Sequence, residues 1–498
     1  MRPSPLLDAP GAVAADSGAG PGAADSVPAA DPDALVPAHY GDPLREQRLL
    51  ADGLAVSALA RDVVAVTGAD RLTWLTTLSS QQLTALAPGD GGAEALLLDA
   101  RGHIAHALAA LDDGQALFLV TEAGDGPALA ALLDRMRFML RVEVSAREDL
   151  VALGALGAGR ERLRRAADGA GALVGAWTDP WPGVVEGGTS YDVGLDSPHP
   201  GRAYAAGFVL VPAARVVDVV RAFAAGGLAN EEPPDGGPVD ENAEDAADGL
   251  PDGDAVESAA GGPAAESGEA LAVAEHDALA GAMAWEALRI EAGRPRRARE
   301  VDERAIPHEL DWLRTAVHLT KGCYPGQETV ARTLNLGRPP RRLTLLQLDG
   351  LAGGLPAPGD VVRLGERAVG AVTSTARHHE LGPIALALLR RGVPAEAALS
   401  VEVSEAASGP GETGAVSGAD GVSGTGPVSG AGAAARTAEP DAVDAADGPA
   451  PGERVVVGRV AAAQEVLVTP EGRAQASPAE RPGAGLRTSL LHRRDGGR

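Results

Sequence analysis

The chain holds one cysteine, Cys323, and one lysine, Lys321, so 42 of its 43 basic side chains are arginine. A single cysteine excludes an internal disulfide framework and fits a reducing compartment. No stretch reaches the roughly 18 uninterrupted apolar residues of a helical membrane span, and the opening MRPSPLLDAPGAVAADSGAG has no apolar core after its lone arginine. These absences lead to the expectation of a cytoplasmic protein without a membrane partner. Aromatic residues make up only 3%, with 5 Trp, 4 Tyr and 4 Phe. Abundant Ala and Gly with Arg in place of Lys read as the imprint of a GC-rich genome rather than of a function.

What is present suffices for real cores: 45% of the 498 residues are hydrophobic, enough for roughly two to four domains. The formal charge of −26 would exclude nucleic acid as a partner, but its location changes its meaning. Residues 1–40 carry −4, residues 229–270 carry −13 and residues 404–452 carry −6, which leaves the remainder near neutral. The acidity describes Gly-, Pro- and Ser-rich segments that bury too little to offset chain entropy, and these are expected to be disordered.

Between them the periodicities are ordinary. DRLTWLTTLSSQQLTAL has Leu72, Leu75, Leu78 and Leu83 at helix-like spacing, and the run from Ala95 to Thr121 reads as strands around the turns at Ala100-Arg101-Gly102 and Asp112-Asp113-Gly114. HDALAGAMAWEALRIEAG reads as a helix with Trp285, Leu288 and Ile290 inward. After Pro340 short apolar runs alternate with Gly and Pro, the texture of a small sandwich or barrel, and the second acidic segment falls between two of its strands as a long hairpin loop. The division expected is a disordered tail 1–42, an α+β unit 43–148, a second α+β unit 149–338 with insert 229–270, a β unit 339–471 with insert 404–452, and a disordered tail 472–498.

The lone lysine and lone cysteine stand two residues apart in HLTKGCYPGQETVAR. Random placement brings two single markers that close only about once in a hundred tries in a chain this long. Gly322 and Pro325-Gly326 place Cys323 on a tight loop. Lys321 and Arg332 would favour its thiolate if they lie near it, and Gln327 and Glu328 add an amide and a carboxylate. Against this, free cysteines are ordinarily small buried hydrophobes and lysines ordinarily solvated charges. His308, His318 and Cys323 match no zinc spacing, so no metal is expected. His103 and His106, in RGHIAHAL, read as strand residues that share a face only if the strand bulges.

LRIEAGRPR, IPHELDWL, TKGCYPGQETVAR and GRPPRRLTLLQLDG, in this order, resemble the YgfZ-type folate-binding proteins, relatives of the glycine-cleavage T-protein (aminomethyltransferase). VTGADRLTWLTTLSSQQ and LLDARGHIAHALAAL are similar to that family as well. The resemblance implies an α+β protein built as a three-domain ring, two α/β domains and a C-terminal β-barrel around a folate-binding channel. It implies tetrahydrofolate as ligand, with iron-sulfur enzymes or assembly proteins as partners in cluster synthesis or repair. The family's motif falls on Lys321, Gly322, Cys323, Tyr324, Gly326, Gln327 and Glu328, and the pterin-binding carboxylate of the T-protein relatives falls on Glu291. The rival implication is an aminomethyltransferase. Its catalytic aspartate would fall on His106, and its motif lacks the cysteine. A non-enzymatic folate-binding regulator, using the acidic segments as contacts, is the third.

Overall fold

The computed structural model describes residues 2–15, 31–191, 198–228, 275–350, 354–406, 454–471 and 473–478. β1 (Val13–Ala14) pairs with β2 (Pro37–His39), and α1 (Pro43–Ala51) leads into β3 (Val56–Leu59). Then follow β4 (Arg61–Thr67), α2 (Arg71–Leu78), β5 (Ala93–Leu98), β6 (Ile104–Asp112), β7 (Ala116–Glu122), α3 (Gly126–Met136) and β8 (Glu143–Ala146). Their strands form an antiparallel sheet in the order β5-β6-β7-β4-β8.

Next come β9 (Leu150–Leu156), α4 (Gly159–Gly169), β10 (Gly175–Thr178), β11 (Ala206–Pro212), α5 (Val216–Leu228) and β12 (Leu279–Ala280). The second sheet runs β10-β11-β9-β3-β12, with β12 parallel to β3. Residues 56–59, N-terminal to the whole first sheet, therefore belong to the second. The helices α6 (Ala282–Glu291), α7 (Arg297–Glu300) and α8 (Gln327–Leu336) precede the barrel strands β13 (Arg341–Leu348), β14 (Val361–Leu364), β15 (Arg367–His378), β16 (Gly382–Arg390), β17 (Leu399–Ala406) and β18 (Arg454–Val466). The barrel closes in the order β13-β16-β15-β14-β17-β18, so the expected α+β class with a C-terminal β-barrel is what the chain adopts.

Strand alternation explains where the centre lies. In β4, Val64 and Val66 face α2 and α3 with Trp74, Leu75, Leu129 and Leu133, while Val63 and Ala65 face the other way. In β9, Val151, Leu153 and Ala155 face α4 and α5, while Leu150, Ala152 and Leu156 face the same centre. The barrel keeps its own interior around Val362, Leu389 and Val401, and turns Leu343, Leu345 and Leu386 outward onto that centre. One shared apolar body thus joins both sheets to the barrel, and α6 and the segment after it run through it.

Several expectations need correction. α2 ends at Leu78, because Ser79 turns extended to bridge Leu97, so Leu83 lies beyond the helix although it is buried. The N-terminal tail is not disordered over its described parts: Leu6, Val36 and Tyr40 are buried beneath α5, and Asp33 reaches the centre. A few apolar anchors hold a segment whose average composition looks disordered. The C-terminal tail likewise sends Ala474 into the central core, and Ser477 Oγ donates to the carbonyl of Leu334. β17 pairs antiparallel with β18, as the hairpin reading requires. Of the two inserts expected to be disordered, 229–270 and 404–452, the first and residues 407–452 lie outside the described residues, whereas residues 404–406 end β17 in register with Val456, Val455 and Arg454, so the ladder extends past the expected boundary.

Candidate functional site

α6 forms where Ala-rich AMAWEALRIE follows Gly281, and Gly293, at φ 64°, turns the chain out of it. Trp285, Leu288 and Ile290 are buried, as their spacing predicts. The segment that follows carries Arg294, Arg296, Arg297 and Arg299 into the centre, each against carboxylates from elsewhere. Arg296 donates to Asp33, Glu122 and Glu286, and Arg289 to Glu286 and Glu300. Burial pushes the Glu122 carboxyl up, and Arg296 and Arg61 more than reverse this, holding it at about 2.

Between the two sheets and α6 these side chains enclose a cavity of about 90 Å³. Five of the chain's 13 aromatic residues line it: Trp177, Tyr204, Phe208, Trp285 and Trp312. Glu94 accepts from Arg294 Nη2 at 2.7 Å, Trp312 Nε1 at 3.0 Å and Thr315 Oγ1 at 2.5 Å, and Asp179 accepts from Arg294 Nε at 3.0 Å. Burial raises the Asp179 pKa, opposed by Arg294 and reinforced by Glu94. Two buried donors on residues lining the cavity have no hydrogen-bond partner, Arg294 Nη1 and Trp177 Nε1. A buried unpaired donor is costly, so each of these two groups calls for an acceptor.

The KGCYPGQE loop lies elsewhere, docked on the first sheet. Gly326 starts α8 at φ 78°, and a Cβ there would stand 2.8 Å from the carbonyl oxygen of Asp99 and 2.8 Å from Gly102 Cα, so this glycine is required by the close approach. A Cβ on Gly322 would meet nothing within 4 Å. Lys321 Nζ donates to the carbonyl of Ser79 at 2.5 Å and to that of Thr76, placing a cation on the C-terminal end of α2. It sits 4.7 Å from the centre of the Tyr324 ring. Burial lowers Lys321 to about 8, against the opposing influence of Cys323, and burial raises Tyr324 to about 12. Cys323 is exposed, whereas Arg332 pairs with Glu328 at 3.0 Å on the surface of α8. The backbone N–H of Gln327 donates to the carbonyl of Tyr324 at 3.3 Å.

Glu291, the last residue of α6, is 3.2 Å from His378 of the barrel and lines a second cavity with Ala51, Leu156, Leu288 and Tyr204. Tyr204 is common to this cavity and the central one, and no residue of the motif loop lines either. The bulge weighed for β6 is present opposite Leu97 and Leu98, with His103 ahead of the strand beside Asp99 and His106 buried at 2.7 Å from Asp125. Among the described residues no group of His, Cys, Asp and Glu is arranged to hold a metal ion, and no helix is long and apolar enough to cross a membrane. Sequence reasoning passed over Glu94, Trp177, Asp179, Arg294 and Trp312. The scarcity of aromatics was the available signal, since WTDPW and LDWL hold three of five tryptophans.

No protein-family model matches the chain. Over 94 residues, 19% of this chain and 21% of the relative, it is 37% identical to a chloroplastic protein of Arabidopsis thaliana named as a candidate transferase, so the match spans about a fifth of that relative. Among solved structures it is similar to the glycine cleavage system aminomethyltransferase T from Bartonella henselae, with TM-score 0.49 and 17% identity over 75% of this chain and 89% of that one. A heterotetrameric sarcosine oxidase from Corynebacterium gives TM-score 0.20 and 12% identity over 36% of this chain and 88% of that one.

Proposed function

We propose that the protein binds tetrahydrofolate in the central cavity and supports the synthesis or repair of iron-sulfur clusters in a reducing compartment such as the cytoplasm, with Cys323 as its exposed reactive group. The observation that carries the ligand is the pairing of aromatic walls with two unpartnered donors, Arg294 Nη1 and Trp177 Nε1. A reduced pterin offers a flat ring face for the walls, a carbonyl for the donors, and amino and ring N–H groups for carboxylates such as Glu94 and Asp179. A volume of about 90 Å³ is below that of ordinary ligand pockets, so entry of the ring requires lining side chains to move aside. Tetrahydrofolate, when bound, supplies a carrier of one-carbon groups. The iron-sulfur role rests on the KGCYPGQE string and on the exposure of its thiol.

One-carbon transfer is the second reading; the plant relative is named for transfer of an unspecified group. His106, at the place of the transferase carboxylate, is tied to Asp125 behind the cavity wall, which weighs against it. The test deletes the gene in its host and assays iron-sulfur enzymes, with rescue by wild type, Cys323→Ala and Trp177→Phe. Loss on deletion and failure of Cys323→Ala to rescue is the expected result. Normal iron-sulfur enzymes in the deletion strain, with folate- and glycine-dependent methylene transfer by the purified protein, would establish the transferase instead.

A further inference from the structure

The central cavity, about 90 Å³, has a neighbour of about 160 Å³ at the end of α6. Ala51, Leu156, Leu288 and Glu291 wall this outer cavity, and two further residues of its lining, Ala203 and Ala205, belong to the segment before β11. Ala51 and Ala203 are exposed, so the outer cavity reaches the surface there. Each cavity alone is below the roughly 300 Å³ of ordinary ligand pockets. A single residue, Tyr204, lines both.

Tyr204 stands between the short 3-10 turn Pro200–Ala203 and β11, and its backbone is fixed. Its N–H donates to the carbonyl of Gly201 at 3.0 Å, its carbonyl accepts from Ala206 at 3.0 Å, and the carbonyl of Ala205 accepts from Gly157 at 2.7 Å. The side chain is held differently. Tyr204 is 5% exposed, yet its hydroxyl makes no hydrogen bond with a described residue, and a cavity lies against it on two sides. Burial raises its pKa, reinforced by Asp179 and opposed by Arg294, so the phenol lies within the field of these two groups of the central cavity. Close packing locks a buried ring through its neighbours, and a ring with empty space beside it and no bond at its tip lacks that lock.

We infer that the Tyr204 side chain is a swinging partition, whose rotation joins the outer cavity to the central one, and that the ligand of the central cavity enters past Glu291 by this route. The joined space approaches the volume of an ordinary pocket, which neither cavity reaches alone. It also brings Glu291, the carboxylate singled out by resemblance, into one site with the unpartnered Arg294 Nη1 and Trp177 Nε1. Because the flanking backbone is pinned, the moving part is the side chain and not the loop. The identity of the ligand rests on the folate reading, whereas the partition does not.

The test measures acrylamide quenching of tryptophan fluorescence and, by stopped flow, the rate at which tetrahydrofolate changes that fluorescence. It compares wild type, Tyr204→Phe, Tyr204→Ala and Ala51→Phe, with circular dichroism to check that each folds. Acrylamide is small and neutral, and three of the five tryptophans line the central cavity, so quenching reports access to it whether or not folate binds. With the open form a minor population in wild type, Tyr204→Ala should raise the quenching constant about twofold and the association rate about tenfold. Tyr204→Phe keeps the ring and should match wild type in both. Ala51→Phe fills the outer cavity from an exposed position and should slow association about tenfold, which tests the route even if Tyr204→Ala does not fold. Unchanged quenching in a folded Tyr204→Ala, the same increase in Tyr204→Phe, or an unaltered association rate in Ala51→Phe would overturn the inference. A wild type that binds no tetrahydrofolate, with acrylamide still admitted by Tyr204→Ala alone, would uphold the partition and remove the folate reading.

Discussion

Arg296→Met removes the side chain on which the centre converges. Arg296 is 6% exposed and donates five hydrogen bonds: two to Asp33 at 2.9 and 3.1 Å, two to Glu122 at 2.6 and 3.2 Å and one to Glu286 at 2.5 Å. Breaking one partner out of a buried ion pair costs about 3–5 kcal/mol, because the other charge is left without compensation. Here each carboxylate keeps a second arginine: Glu122 has Arg61 at 3.0 Å, Glu286 has Arg289 at 2.6 Å and Asp33 has Arg299 at 3.0 Å. The loss therefore falls near the lower limit, about 3 kcal/mol, rather than at three times that figure. Urea unfolding at neutral pH reads it directly.

The same substitution has an acid signature. Glu122 is held at about 2 in the fold against its usual 4.5, so the unfolded chain binds its proton first as the pH falls. Its contribution is complete above 4.5 and is lost as the pH drops towards 2. Without Arg296, burial is opposed mainly by Arg61 and the folded pKa rises, so the variant should lose less stability across that window than wild type does. A loss below about 1 kcal/mol with an unchanged acid dependence would show that Arg296 does not hold these carboxylates together.

His308 is lowered by burial to about 4 against its usual 6.5, the carbonyl of Val330 pulling only partly back. The unfolded chain protonates first, so stability should fall by about 2 kcal/mol from pH 7 to pH 5, and His308→Gln should flatten that segment of the urea-unfolding profile. Gly326→Ala meets a left-handed φ and a carbonyl at 2.8 Å; it should cost at least about 1–2 kcal/mol and raise proteolysis of the motif loop. Lys321→Met leaves the carbonyls of Thr76 and Ser79 without their donor and should destabilise the chain by about 1–3 kcal/mol in thermal unfolding.

Local patterns were legible: the inward face of α6, the strands around the turn at Gly102 and the barrel texture all follow from side-chain period and turn residues. What the sequence hid is contact across long separations. α2 stops at Leu78, where Lys321 reaches its last carbonyls from more than 240 residues away, and no window around α2 contains that information. The arginines after α6 were visible as a run, but their partners Asp33, Glu94, Glu122 and Asp179 come from the N-terminal segment and both sheets. The N-terminal segment was misread because Leu6, Val36 and Tyr40 are too few to lift its average above that of a disordered tail. The motif residues were singled out by scarcity and resemblance. Their placement, with Lys321 inward, Cys323 outward and Arg332 on Glu328, needed three dimensions.

A reduced-folate site walled by aromatics at the meeting point of the two sheets, as proposed above, is open to direct measurement. Trp177, Trp285 and Trp312 are three of five tryptophans, so titration of tetrahydrofolate followed by tryptophan fluorescence, with calorimetry beside it, reports on the cavity itself. Wild type should bind with a change in emission. Trp177→Phe keeps an aromatic face but removes the pyrrole ring with its unpartnered donor, and Asp179→Asn keeps the shape and removes an acceptor; each should weaken binding about tenfold. No binding by the folded wild type, or equal affinity in wild type and both variants, would place the folate site outside this cavity or remove it altogether.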